Sequence, residues 1–238
     1  MTGMKTLLIV PAYNEEESIG KTLGELAKYD FCDVLVIDDG SSDATARICS
    51  DLGVKCIRLP FNMGLSGAFE TGMRYAYAHD YDAALQFDAD GQHRPEYIAP
   101  LLDRIAAGTD IVIGSRFVGE KFDRSMRQLG AAFIRAGIRL TTGQKITDPT
   151  SGMRAYNRRI IRLFATLHDL TPEPDTLVFL MRHGVKVCEV GVEMREREFG
   201  QSYLTTWSSL KYMTRMAFSI FLIQFARPGI RWKEEVSA

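Results

Sequence analysis

Two carboxylates separated by one residue stand at the head of Asp88-Ala89-Asp90-Gly91-Gln92-His93. They follow Ala83-Ala84-Leu85-Gln86-Phe87, an apolar run that reads as a buried strand. A strand that delivers Asp-x-Asp into a glycine-containing loop offers hard oxygen ligands at a sheet edge. Mg²⁺ and Mn²⁺ take such ligands, commonly one or two carboxylates completed by substrate phosphates. An ion held there would bind a nucleotide diphosphate and neutralise it as it leaves. The same residue types also form turns and cap helices. The run alone leaves both roles open.

The elements that must position this loop follow from hydrophobic period. Short apolar runs at 6–10, 34–38, 55–59, 83–87 and 110–114 read as strands. Helical spacing fills 16–29, 43–52, 65–79 and 95–107, with Asp43 as an N-cap and Pro95 in a first turn. Near-continuous apolar strands alternating with helices predict an α/β fold, a mostly parallel sheet covered on both faces. Ligands bind such sheets at the carboxyl ends of the strands. The polar clusters fall there: Pro11-Ala12-Tyr13-Asn14-Glu15, Asp38-Asp39-Gly40-Ser41-Ser42-Asp43 and Asp88–His93. Neither a Gly-x-Gly-x-x-Gly fingerprint nor a P-loop occurs, so a nucleotide would be held another way. Further on, the reading predicts a helix over 125–140 with Arg127, Arg135 and Arg139 on a basic face. A turn at 147–152, a short strand at 153–156, a helix from Asn157, a helix over 176–183 and a strand over 185–194 complete it.

Composition bounds the class. The 238 residues, 46% hydrophobic and 25% charged, suit one globular domain with an appendage. Its 29 basic and 30 acidic residues nearly cancel, which argues against non-specific nucleic-acid binding. Cys32, Cys49, Cys56 and Cys188 show no C-x-x-C pair, and His79, His93, His168 and His183 no zinc spacing. The apolar run Leu7–Val10 is short for a signal-peptide core, and no stretch reaches the roughly 18 apolar residues that span a bilayer. A cytoplasmic protein, peripheral at the inner face of a membrane, is expected.

Taken together, Pro11–Glu16, Asp38–Asp43 and Asp88–His93 resemble the signature of family 2 glycosyltransferases of the GT-A fold. Asp148-Pro149-Thr150-Ser151-Gly152-Met153-Arg154-Ala155-Tyr156 and Arg197-Glu198-Phe199-Gly200-Gln201-Ser202 are similar to the polyprenyl-phosphate branch, of the dolichol-phosphate mannose synthase type. The resemblance spans roughly residues 4–205, so a GT-A domain over 1–205 and an extension over 206–238 are expected. It implies a metal-dependent, inverting transfer of a sugar from a nucleotide diphosphate-sugar to polyprenyl phosphate. It further implies that Pro11, Tyr13, Glu15, Asp39 and Ala89 contact the donor. Asp88, Asp90 and Gln92 would hold Mg²⁺ or Mn²⁺, with Asp90 also catalytic. Arg116, Arg127 and Arg197 would face the diphosphate or the acceptor phosphate, as guanidinium chemistry suits.

A lipid phosphate is already an anion at pH 7 and needs no base, whereas a hydroxyl acceptor does. Asp148, Glu173 and Asp175 are candidate bases for that second case, a transferase extending a glycan or lipid-linked saccharide. A non-catalytic sugar-nucleotide or membrane-binding module is the third reading. Residue by residue, plainer roles stand alongside: a capped helix start for Tyr13 and Glu15, turn initiation for Asp148, a solvated helical face for Arg127, a polar strand face for Arg197. His93 reads as a loop residue beside the metal rather than a ligand.

The extension carries its own signal. Residues 203–233 contain no acid, while Lys211, Arg215, Arg227, Arg231 and Lys233 are basic. Ser208, Lys211, Tyr212, Arg215 and Ser219 form a polar stripe, opposite Leu210, Met213, Met216, Ala217, Ile220 and Phe221. A basic amphipathic helix flanked by Trp207 and Trp232 suits a membrane surface or a small membrane protein partner. Packing on the protein's own core is the alternative.

Overall fold

Leu7, Leu8, Ile9 and Val10 are at most 1% exposed, as successive residues must be in a strand covered on both sides. The computed structural model describes residues 3–30, 32–117, 126–167, 170–195, 215–216 and 218–220. Among these residues seven strands, β1 Thr6–Ala12, β2 Asp33–Asp38, β3 Lys55–Arg58, β4 Ala83–Gln86, β5 Ile111–Ser115, β6 Arg154–Asn157 and β7 Val187–Gly191, form one sheet in the order β3-β2-β1-β4-β6-β5-β7. The helices are α1 Ile19–Leu26, α2 Thr45–Asp51, α3 Gly64–Ala78, α4 Ile98–Ala106, α5 Met126–Thr142, α6 Arg158–Thr166 and α7 Pro174–Arg182.

Alternation along β1 and β2 divides the core. Leu7, Ile9, Leu35 and Ile37 join Phe69 of α3, Ile134 of α5, Ile160 of α6 and Leu177 of α7. Leu8, Val10 and Val36 join Leu23 of α1 and Leu101 of α4. The expected α/β architecture, a mostly parallel sheet with helices on both faces, is present.

Local signals explain most element ends. The N-cap of α2 is Ala44, one residue after the expected Asp43, whose carboxylate still accepts the Thr45 N–H at 2.9 Å just ahead of the helix. Pro95 opens a 3-10 turn, Pro95–Tyr97, that leads into α4. Asn157 caps α6 by accepting from Ile160 N–H at 3.0 Å. The helix expected from residue 16 begins later, at Ile19, because 15–18 form a turn in which the Glu15 carbonyl accepts from Ser18 and Ile19.

One feature of topology has no counterpart in hydrophobic period. β6 is antiparallel to both neighbours, with Arg154 opposite Gln86 on β4 and Ile113 on β5. Period 2 marks a strand but not its direction.

The described part of the extension faces inward. Met216 and Ile220 are 2% and 0% exposed within the core, and the Ser219 hydroxyl donates to Asp175 of α7 at 2.6 Å. At these residues the apolar side is spent on the protein's own core, the alternative reading of that segment, and one member of the supposed polar stripe is bonded inward. Arg215 and Phe218 remain exposed. The rest of 206–238 lies outside the described residues. Among the described residues no helix is long and apolar enough to cross a membrane.

α3 approaches β1 closely enough that a Cβ on Gly72 would lie 2.4 Å from Ile9 Cγ2. Gly72→Ala is therefore expected to destabilise the fold by about 1–3 kcal/mol through overpacking. A urea titration should show a lowered midpoint with an unchanged slope.

Candidate active site

β1, β2 and β4 run parallel and end on one rim. The loops after β1 and β2 are bonded to each other there. Asn14 N–H donates to Ser41 Oγ, and Asn14 Oδ1 accepts from Ser42 N–H, both at 2.9 Å. Glu15 N–H donates to Thr45 Oγ1 at 2.9 Å, while Glu16 N–H donates to Asp43 and the Glu16 carboxylate accepts from Ala44 N–H. Asn14 takes a left-handed φ of 53° to make this possible. Burial raises the Asp43 carboxyl, yet the hydrogen bonds from Thr45 and Glu16 hold it below its ordinary value. Pro11 and Tyr13 are half-buried beside this wall, and the Glu15 carboxylate accepts the hydroxyl of Ser18, the N-cap of α1, at 2.6 Å, although no side chain caps a backbone N–H there.

The paired aspartates after β2 divide labour. Asp38 is fully buried, accepts Ser41 N–H at 2.9 Å and lies 3.3 Å from Nε of Arg58, the last residue of β3. Asp39 is 4% exposed and accepts Met63 N–H at 2.7 Å, just ahead of α3. The reading of the chain did not single out Arg58, because nothing local links it to Asp38.

Asp88 and Asp90 follow β4 on the same rim. Ala89 between them is buried, and its carbonyl accepts the Thr22 hydroxyl of α1 at 3.0 Å, which anchors the loop. Gln92 N–H donates to Asp90 at 3.1 Å. The Gln92 carbonyl accepts from Arg195 N–H at 2.9 Å, and Arg195 is held to Glu25 of α1 through 2.7 and 2.8 Å contacts. His93, 3% exposed, accepts Asp88 N–H at Nδ1 (2.9 Å) and places Nε2 3.4 Å from the Asp88 carboxylate. An Nδ1 that accepts fixes the tautomer with hydrogen on Nε2, so the ring orients Asp88. The loop residue expected beside the metal is thus a support for one proposed ligand.

Among the described residues no three His, Cys, Asp or Glu side chains form a cage for a metal. Two carboxylates and the Gln92 amide are an incomplete set of hard oxygen donors, the kind that phosphate oxygens and water complete around Mg²⁺ or Mn²⁺. The donor chemistry of the loop fits such an ion.

A cation faces this loop from β5. Arg116, just after β5, makes a side-on pair with Asp148 through Nε (2.6 Å) and Nη2 (2.7 Å). Asp148 is 1% exposed and also accepts Arg116 N–H at 3.1 Å. Burial lowers the affinity of Arg116 for its proton, but the bond to Asp148 and the charges of Asp148 and Asp88 more than offset this and raise its pKa. Asp148 belongs to the 147–153 turn, which buried Arg154 fastens by donating to the carbonyls of Ser151 (2.8 Å) and Pro149 (2.6 Å). Half-buried Arg135 of α5 feels the same Asp148; burial lowers its pKa and that charge opposes the shift. Arg127 lies on α5, but its side chain and the whole of Arg197 are outside the described residues.

The fold has counterparts. Residues 7–164, more than half of the chain, match Glycosyl transferase family 2. An undecaprenyl-phosphate mannosyltransferase of Micrococcus luteus is 34% identical over 222 residues, covering 85% of this chain and 88% of that one. A polyprenol monophosphomannose synthase of Mycolicibacterium smegmatis is 30% identical over 233 residues, covering 90% and 86%. A mannosyltransferase of Pyrobaculum calidifontis, solved with GDP-Man and Mn²⁺, superposes with a TM-score of 0.68 at 17% identity, over 98% of this chain and 68% of that one. The chain belongs to the family 2 glycosyltransferases: it is a glycosyltransferase of GT-A fold, and the expected family is the observed one.

The 147–153 turn reaches Asp88 directly, since a Cβ on Gly152 would sit 2.5 Å from Asp88 Oδ2. Gly152→Ala should turn the Asp88 carboxylate aside and weaken Mn²⁺ binding about tenfold or more. Mn²⁺ titration followed by electron paramagnetic resonance, with nucleoside diphosphate present, measures this. Unchanged affinity here, and again in Asp88→Asn, would show that Asp88 is not a ligand.

Proposed function

We propose that this glycosyltransferase moves a sugar, with inversion, from a nucleotide diphosphate-sugar to a polyprenyl phosphate at a membrane surface. The observation that carries the reading is the engagement of Asp148 by Arg116. Among the carboxylates weighed as bases, Asp148 is buried and takes three bonds from Arg116. Asp175 accepts Thr176 N–H at 2.7 Å and the Ser219 hydroxyl, and Glu173, at the start of α7, is engaged as well. A hydroxyl acceptor would need one of them free; an ionised phosphate needs none. The names of the Micrococcus and Mycolicibacterium relatives support the same acceptor class.

In this reading the acceptor oxygen forms the new bond to the anomeric carbon. The bond from that carbon to the donor β-phosphate breaks, and its electron pair leaves with the nucleoside diphosphate. Pro11, Tyr13, Glu15, Asp39 and Ala89 line the donor site. Asp88, Asp90 and Gln92 would hold Mg²⁺ or Mn²⁺, which when bound offsets charge on the departing diphosphate. Arg116, with Arg127 and Arg197, neutralises phosphate oxygens on the acceptor side. The basic extension over 206–238 would serve the membrane surface or a small membrane protein where the lipid acceptor resides.

A screen of nucleotide-sugars against polyprenyl phosphate, with and without Mn²⁺, tests the whole. A lipid-linked sugar formed only with metal is expected, and Asp90→Asn should reduce turnover about a hundredfold or more. Product only with hydroxyl acceptors would move the protein to saccharide extension. A variant lacking Asp90 that keeps its full cellular role would favour a non-catalytic module.

A further inference from the structure

Glu189 lies in the middle of β7, one strand beyond Arg116, and no step above calls on it. Its carboxylate grips the turn that holds Asp148. Thr147 N–H donates to Oε1 at 2.9 Å and Oε2 at 2.8 Å, Asp148 N–H to Oε1 at 2.7 Å, and the Thr147 hydroxyl to Oε2 at 2.9 Å. The Thr147 hydroxyl is also 2.8 Å from Ser115 Oγ, immediately before Arg116. The chain of bonds continues through Asp148 into Arg116. There Nε and Nη2 are taken by Asp148, and Nη2 also reaches Thr150 Oγ1 at 3.4 Å. Nη1 has no hydrogen-bond partner among the described residues.

A guanidinium fixed along one edge presents the other. Arg116 is held along its Nε–Nη2 edge, which leaves Nη1, with its two hydrogens, for another acceptor. The orientation depends on Asp148, and the position of Asp148 depends on the carboxylate that collects its N–H.

We propose that Glu189 is a positioning residue for sugar transfer: it sets the 147–148 backbone so that Asp148 holds Arg116 with Nη1 directed at a phosphate. The proposal rests on the transfer reading above for its function and on the bonded chain alone for its geometry. Only an ionised carboxylate suits this place, because every group it meets is a donor. The amide of a glutamine would oppose N–H with NH₂ on one side.

Two measurements on the full chain test it. The first is the ¹⁵N–¹H signal of the Arg116 Nε–H, assigned by its loss in Arg116→Lys. A guanidinium bonded to a buried carboxylate should give a sharp, slowly exchanging signal. Glu189→Gln should broaden or abolish it while thermal unfolding remains cooperative. Glu189→Asp, whose carboxylate is withdrawn by one methylene, should do the same even though it keeps the charge, and serves if Glu189→Gln does not fold. The second is a kinetic cycle with polyprenyl phosphate. Glu189→Gln should lower kcat/KM for the acceptor about 10–100-fold with the KM for the donor little changed. In an Asp148→Asn background the same change should add less than about twofold, because residues acting through one chain are not additive. An unaltered Arg116 signal in both Glu189 variants, or losses that multiply, would overturn the proposal. Wild-type protein that makes no lipid-linked product would overturn the transfer reading instead, and the signal would still decide whether Glu189 holds Arg116.

Discussion

A strand inserted antiparallel into a parallel sheet must be entered from the rim where its neighbours end. β6 is such a strand, and its first residue, Arg154, pairs with the last residue of β4 and with Ile113 near the end of β5. The residues just before it, 147–153, are thereby delivered to the carboxyl rim beside Asp88. The approach of Gly152 to the Asp88 carboxylate, the pairing of Asp148 with Arg116, and the fastening of the turn by Arg154 are consequences of that one direction of travel. Tyr156 locks the strand from below, edge-on to Phe69 at 5.4 Å and Phe164 at 5.8 Å.

Burial of charge then decides what the rim looks like. Asp38, Asp148 and Arg154 are all at most 4% exposed, and charges so placed need bonds or an opposite charge beside them. Asp148 is bonded to Arg116 and Arg154 donates to backbone carbonyls. Asp38 accepts Ser41 N–H at one oxygen, while its buried Oδ2 takes no hydrogen bond and faces the charge of Arg58 at 3.3 Å. These groups act as scaffold for the ones that remain accessible. Asp88, with 35% of its side chain exposed, and Arg116, with 38%, are among the charged groups there that stay accessible. The rim is a frame of paired charges around others that solvent still reaches.

Much of this was legible in the residues. Apolar strands ending in Asn14-Glu15, Asp38-Asp39 and Asp88-Ala89-Asp90 put polar groups on one edge because parallel strands end together. Asp43, Pro95 and Asn157 marked helix starts through bonds that span three residues or fewer. What stayed hidden joins distant residues. Arg195 and Glu25 are 170 residues apart, Asp148 and Arg116 are 32 apart, and Gly152 announces a turn without naming its neighbour. Asp148 looked like a turn former or a base, and only the fold shows that its carboxylate belongs to Arg116. The apolar stripe of the extension suits a membrane surface or the protein's own core on composition alone, and Met216 and Ile220 take the second course. Amphipathicity identifies a face that will be covered, not what covers it.

The bonded loops after β1 and β2 have a thermodynamic meaning of their own. Asn14, Glu16, Asp43 and Thr45 find their bonding partners within the chain itself, between the two loops. The ordering entropy of that wall is therefore lost when the chain folds, not when a donor arrives. If the proposed donor docks against it, the nucleotide meets a surface already in its final shape. In that reading, discrimination between donors falls to the side chains that project from the wall, and changing donor preference becomes a matter of exchanging those side chains while leaving the loops untouched.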